Sequence, residues 1–253
     1  IVVGSWWSEP LPPAAAQPLA GESVPVPAGP LEMGSRDGDP DERTVHPVML
    51  DAYRIDRYEV SNYQFADFLN AEGNQIQGFV PWYDSRSDDR RILKHQGDWL
   101  VSTGYGDHPV SGVSWYGARA YCAWRGGQLP SEAQWEKAAR GTDGRTYPWG
   151  EGIDCERANT SECGGESSEV GAFPSGASPY GAQDMAGNVW EWVGDWYDQD
   201  FYTILAARSR NPAGPPGGTR KGIRGGSYMT GPSFARSANR LGEFPACLLY
   251  TSP

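Results

Sequence analysis

Apolar side chains alternate with polar ones from Val24 to Met33 and again from Val48 to Tyr58, the two-residue period of strands with one face in a core. At Ser61 the period lengthens. Ser61 is an N-cap residue, and Tyr63, Phe65, Ala66, Phe68 and Leu69 supply the buried stripe of a helix running through Asn70. Ser114 caps a second helix, Trp115 to Trp124, which stops at the Gly126 and Gly127 pair. Ser131 with Gln134 three residues on forms a capping box, opening a third helix that ends at Arg140 before Gly141. The run from Gly73 to Asp107 is polar and aromatic without a period, and reads as loop with short strands. Asp37, Asp39 and Asp41 alternate like part of an EF-hand, but Pro40 and the absence of a closing bidentate Glu make Asp37 to Glu42 a solvated loop.

Composition narrows the fold class. Of 253 residues, 38% are hydrophobic and 12% aromatic, enough to fill a core. The 33 glycines, 21 prolines and 11 tryptophans point away from a helix bundle, toward an α+β fold rich in irregular loops. Such loops need staples, and calcium or a disulfide can supply them. A formal charge of −11 leaves no clustered Lys and Arg for duplex phosphates, so no nucleic-acid partner is expected. The chain opens at Ile1 without Met, and IVVGSWW is too short to span a bilayer. Residues 1–23 read as a Pro/Ala-rich linker or export remnant, with an assembly remnant as an equal alternative. No membrane span is expected in the chain, although a tether through a preceding segment fits an extracytoplasmic location, whether periplasmic, secreted or surface-anchored. In that setting Cys155 and Cys163, which flank a polar loop, are expected to form a disulfide. Cys122, on the apolar side of its helix, reads as a buried thiol.

Candidate chemistry concentrates in Asp184 to Trp196, DMAGNVWEWVGDW. Three indoles, Trp190, Trp192 and Trp196, share this run with Asp184, Glu191 and Asp195. Two readings stand at this point: a Trp-rich core turn whose acids face water, or a calcium loop using the carboxylates of Asp184 and Glu191 and the carbonyls of Gly187 and Val189. No CxxC pair, phosphate loop or nucleophile elbow is present, and His46, His95 and His108 are scattered.

The run from His108 to Gly150, then DMAGNVWEW, then RGGSY at Arg224 to Tyr228 followed by ARSANR, closely resembles the formylglycine-generating enzyme, or sulfatase-modifying factor, family. The opening VPAGPLEMGS and LDAYRIDRYEVSNYQFADFL fit its N-terminal part. The resemblance implies one C-type-lectin-like domain over residues 24–246, with structural Ca²⁺ held by Asp184, Gly187, Val189 and Glu191, which favours the second reading of the tryptophan turn. The family's oxidases convert a sulfatase cysteine to formylglycine with copper(I) on two cysteines after the RGGS motif. Those positions here are Thr230 and Ala235, with no cysteine between Gly226 and Ala246. Neither side chain replaces a soft thiolate, so copper is not expected. A related iron branch needs clustered His ligands, which this chain lacks.

The expected function is accordingly a calcium-stabilised, non-oxidase binding or accessory module for a peptide, protein or glycan. The alternative is a formylglycine-generating oxidase, or a related oxidation through an unrecognised site. A displayed domain with a variable surface between Met229 and Phe244 is a third possibility. In the family the reactive cleft lies beside RGGS, so Trp190, Ser227, Thr230, Arg236 and Arg240 are candidate pocket residues, against the reading that Arg224 and Arg240 merely satisfy buried acids or carbonyls. The family continues past ANR to a strand ending Gly-Phe-Arg, whereas LGEFPACLLYTSP stops, so residues 247–253 read as a doubtful, truncated tail that lacks an edge strand.

Overall fold

Both alternating stretches fold as separate short strands. In the computed structural model, which describes residues 4–5, 22–87, 90–204 and 210–248, β1 (Gly4–Ser5) and β2 (Ser23–Val26) flank β5 (Tyr53–Asp56) in an antiparallel sheet. β3 (Gly29–Met33) pairs with β4 (His46–Leu50). The expected strand from Val24 to Met33 is broken at Pro27 and Ala28. The one from Val48 to Tyr58 is broken where the Asn211 side chain holds Asp51, accepting from its N–H at 2.8 Å and donating to its carboxylate at 2.8 Å. Most of the expected linker 1–23, and residues 249–253 of the expected tail, lie outside the described residues.

Helix α1 (Asn62–Glu72) opens with the capping box of Ser61 and Gln64. Its buried face is Asn62, Phe65, Ala66, Phe68 and Leu69. Tyr63, expected in that stripe, is 58% exposed, because the stripe is set by residues two and three further on and Tyr63 lies to its side. The stretch expected as loop with short strands holds such strands, paired as two hairpins, β6 (Ile76–Gln77) with β7 (Val80–Pro81) and β8 (Ile92–His95) with β9 (Asp98–Val101). α2 (Trp115–Trp124) is capped by Ser114 and α3 (Glu132–Arg140) by the Ser131–Gln134 box. β10 (Glu191–Trp196), β11 (Lys221–Arg224) and β12 (Leu241–Glu243) form the second three-stranded sheet, antiparallel in the order β10-β11-β12.

Strand β10 divides two apolar cores. Trp192 packs with Phe65, Phe68, Trp115 and Tyr121 on one side, and its neighbour Val193 packs with Val24, Leu50, Ile55 and Trp135 on the other, as strand alternation requires. Two buried indoles donate into the partition: Trp192 to the Val113 carbonyl at 3.0 Å and Trp115 to the Val193 carbonyl at 2.9 Å. All nine residues of α3 are buried, including Glu132, Glu136, Lys137 and Arg140. Lys137 donates to the carbonyls of Pro27 and Gly29 at 2.8 and 3.0 Å, and the other three charges meet opposite charges inside the fold. Glu136 accepts from Gly34 N–H at 2.8 Å and from Arg140 at 3.1 Å and pairs with Arg224, while Glu132 takes a two-pronged contact from Arg240 at 2.8 Å each. The acidic loop departs from expectation at its end: Glu42 is fully buried and receives Arg236 at 2.6 and 2.9 Å.

Cys155 and Cys163 are joined as a disulfide, with Cα atoms 5.2 Å apart, while Cys122 is a buried free thiol. Closing so short a loop restricts the unfolded chain modestly, so Cys155→Ser with Cys163→Ser is expected to lose about 2–3 kcal/mol in urea unfolding. Asp56, at the end of β5, is buried with Arg125 at 3.8 Å, and burial pushes its carboxyl up to about 6. A carboxyl whose folded value is raised favours folding at low pH, and that contribution fades as the pH climbs from about 4 to about 6. Asp56→Asn is therefore expected to match the parent near pH 4 and exceed its stability at pH 7 by about 1–3 kcal/mol in urea titrations. A variant less stable at pH 7 would contradict this. Among the described residues no helix is long and apolar enough to cross a membrane.

Candidate functional site

The turn from Asp184 to Trp190 leads into β10 and is held by side chains from far along the chain. Asp184 and Asn188 both adopt positive φ, 60° and 59°, a conformation that costs a non-glycine residue energy and needs outside support. That support is visible. Asp184 Oδ2 accepts from Gly171 N–H at 2.6 Å, and the Asn188 side chain donates to Glu59 at 2.6 Å and accepts from Ser168 N–H at 2.9 Å. Gly187, at φ 85°, has no room for a side chain, since a Cβ would lie 2.2 Å from the Asn159 carbonyl.

Three buried carboxylates meet behind this turn. The Glu191 side chain accepts from Trp135 Nε1 at 3.0 Å, while Glu59 accepts from Val189 N–H at 3.1 Å as well as from Asn188. Burial pushes Asp184 up to about 6 and Glu191 up to about 7, the charge of Asp184 adding to the second shift. Glu59 is raised well above the usual range by burial and then by Asp184 and Glu191. Glu59 is the member that the sequence does not reveal. It stands in DRYEVSNYQF beside Val60, over 120 positions from its partners, and nothing in that mostly polar run signals its burial.

Two oxygens in this group are orphaned. Asp184 Oδ1 and Glu191 Oε1 are buried and have no hydrogen-bond partner among the described residues. A cation is the natural partner for unpaired buried carboxylate oxygens. No set of three His, Cys, Asp or Glu side chains among the described residues is arranged to hold a metal, so an ion here would need main-chain carbonyls beside the two carboxylates.

The RGGS turn lies directly against this one. Gly187 N–H donates to the Gly225 carbonyl at 2.7 Å and Tyr228 N–H to the Asn188 carbonyl at 2.9 Å. Gly226, at φ 77°, approaches the backbone of Phe234 and Ala235 to about the limit a Cβ would tolerate, 3.0 Å. Ser227 N–H donates to Thr230 Oγ1 at 2.8 Å, and that hydroxyl donates back to the Ser227 carbonyl at 3.1 Å. Trp190 packs edge-on to Phe234 with ring centres 6.1 Å apart. Ala235 is buried in a small apolar cluster with Tyr147, Ala158 and Ala186.

The sequence-derived pocket set divides here. Trp190, Ser227 and Thr230 belong to the paired turns. Arg236 reaches the other way, to Glu42 and to Asp39 at 3.1 Å, and Arg240 is 1% exposed and committed to Glu132 and the Asp198 carbonyl. Arg240 thus braces α3. Burial alone would lower its pKa, but the charge of Glu132 and its hydrogen bond outweigh that and hold the guanidinium above its usual value.

Comparison with known proteins is consistent from end to end. Residues 8–248 match the Sulfatase-modifying factor enzyme 1-like domain. The chain is 32% identical to the Formylglycine-generating enzyme of Thermomonospora curvata, with 88% of each covered. It is 39% identical to the Serine/threonine-protein kinase pkn1 of Chlamydia caviae over 92% of this chain, yet it spans only 37% of that relative's length. The solved structure of PvdO from Pseudomonas aeruginosa superposes with a TM-score of 0.69 at 27% identity, covering 90% of both chains.

Proposed function

From the premise that this chain belongs to the sulfatase-modifying factor family, we propose that it is a non-oxidase member, a calcium-braced binding or accessory domain that recognises a peptide, protein or glycan. The observation that carries this reading is the chemistry at the two positions where the family's oxidases hold copper. Thr230 spends its hydroxyl closing a turn on Ser227, and Ala235 places a methyl in an apolar cluster. A hard hydroxyl and a methyl do not bind copper(I), which takes thiolates.

Calcium fits the neighbouring turn better than copper fits this one. Asp184 and Glu191 would hold the ion together with the carbonyls of Gly187 and Val189, and its charge would neutralise buried acids that repel one another. The turn would thereby be stiffened beside Trp190 and Phe234, the latter 37% exposed and so available to a partner's apolar group. The length of the Chlamydia relative supports a role as one module of a larger protein. An extracytoplasmic setting is supported by the Cys155–Cys163 bond, since such bonds persist in oxidising compartments.

Incubation with copper(I), oxygen and a cysteine peptide of sulfatase type, followed by mass spectrometry, is expected to yield no aldehyde. Catalytic conversion to formylglycine would overturn the proposal and revive oxidation through a site elsewhere.

A further inference from the structure

About four residues along β10 from Glu191, roughly 13 Å at strand spacing, a cavity opens that the paired turns do not line. It measures about 290 Å³ and is mostly apolar, with Trp115, Leu129, Pro212 and Ala213 in its wall and Asp195 and Arg119 as its charged members. This is the small end of the ~300–1,000 Å³ typical of ligand pockets, suited to a compact molecule.

Both charges are poorly answered by the protein. Asp195 is 5% exposed; one oxygen, Oδ2, accepts from Glu132 N–H at 2.9 Å, and the other takes no hydrogen bond among the described residues. The two cations that act on it are engaged elsewhere: Arg240 is held by Glu132, and Lys221 donates to the Gly194 carbonyl at 2.8 Å with its ammonium 4.1 Å from the Trp115 ring centre and 3.9 Å from that of Trp196. Burial, followed by the neighbouring Glu132 charge, pushes Asp195 up to about 7, a cost that an arriving cation relieves. Arg119 is exposed, lies 5.1 Å from the Trp115 ring centre and has no acidic partner among the described residues. A buried, half-satisfied carboxylate, a guanidinium with no acidic partner among the described residues and an apolar wall line one cavity and define complementary chemistry: an ammonium, a carboxylate and a hydrocarbon side chain on one small frame.

We propose that this cavity binds a free apolar α-amino acid, with its ammonium on Asp195, its carboxylate on Arg119 and its side chain against Trp115 and Leu129. The site is independent of the copper and calcium readings, since none of its residues belongs to the turns at Asp184 to Trp190 or Arg224 to Thr230.

Calorimetric titration of the full chain with L-leucine and with L-phenylalanine tests it, with tryptophan fluorescence reporting on Trp115. At least one of the two is expected to bind saturably below about 1 mM. N-acetyl-leucine, which lacks the ammonium, should bind about tenfold or more weakly, and leucinamide, which lacks the carboxylate, should be weakened to the same degree as leucine is by Arg119→Ala. Asp195→Asn should remove most binding, but Asp195 also holds the start of α3 and its loss can disturb folding. Ala213→Trp therefore serves as the second variant, because residue 213 is exposed and an indole there fills the cavity; it should abolish binding with an unchanged melting temperature. No saturable heat for either amino acid up to about 10 mM would overturn the proposal. So would N-acetyl-leucine binding as well as leucine, or full binding by a folded Ala213→Trp variant.

Discussion

Arg224→Ala is expected to cost the domain about 3–5 kcal/mol, the loss associated with stranding one half of a buried ion pair. Arg224 is fully buried, as is Glu136, its partner; Arg224 also donates to the Asn239 carbonyl and lies over the Trp135 ring, 5.2 Å from its centre. Removing the guanidinium leaves Glu136 charged in a core with only Gly34 N–H and Arg140 to answer it. Domains of this kind are stable by about 5–15 kcal/mol in total, so the variant should unfold at a much lower urea concentration or fail to accumulate. Arg224→Lys should recover little, because a single ammonium cannot reach two acceptors with the fixed fork of a guanidinium. Arg210→Ala provides the contrast: its pairing with Asp51 is on the surface, with Arg210 67% exposed, and its loss should change stability by under about 0.5 kcal/mol. An Arg224→Ala loss no larger than that of Arg210→Ala would show that the charged network inside the fold contributes no net stability.

Chelation should lower the melting temperature by roughly 5–10 °C if calcium occupies the turn at Asp184 to Glu191. An ion present at about 100 times its dissociation constant stabilises the folded state by about 2.7 kcal/mol, and a domain of this size shifts by about 2–4 °C for each kcal/mol. Asp184→Ala and Glu191→Ala should each abolish the difference between calcium and chelator, since each removes one of the two orphaned oxygens. The readout is differential scanning calorimetry in excess calcium and in excess chelator, with magnesium as the control for general salt effects. Identical melting curves in the two conditions would remove the ion from the account and leave the three acids as a buried, protonated cluster. Glu59→Gln separates the roles further. Glu59 positions Asn188 and Val189 but has both oxygens hydrogen-bonded, so this variant should weaken calcium binding through the shape of the turn without eliminating it.

What could be foreseen from the residue order was whatever is settled within a few positions. Ser61 with Gln64 and Ser131 with Gln134 cap their helices because donor and acceptor are three residues apart, and both boxes are present in the fold. The Cys155–Cys163 bond closes a loop short enough to be anticipated from its context. The lack of paired thiols after Ser227 is likewise plain from residue identity alone, as is family membership, because both depend on residue types in order and not on packing.

The tertiary structure decided which charges are inside. α3 reads as an ordinary charged helix, yet Glu132 and Glu136 are buried because Arg240 and Arg224 arrive from 108 and 88 positions away. The same holds for Glu59, which reaches Asn188 across 129 positions, and for Asp195, whose exposure to a cavity depends on α2 and the segment at Pro212 meeting over β10. Helical caps and turns are local bargains between neighbouring backbone groups and are written in adjacent residues. The burial of a charge is settled only when distant segments exclude water together, so its partner, and with it the chemistry of the candidate sites, emerges from the folded chain.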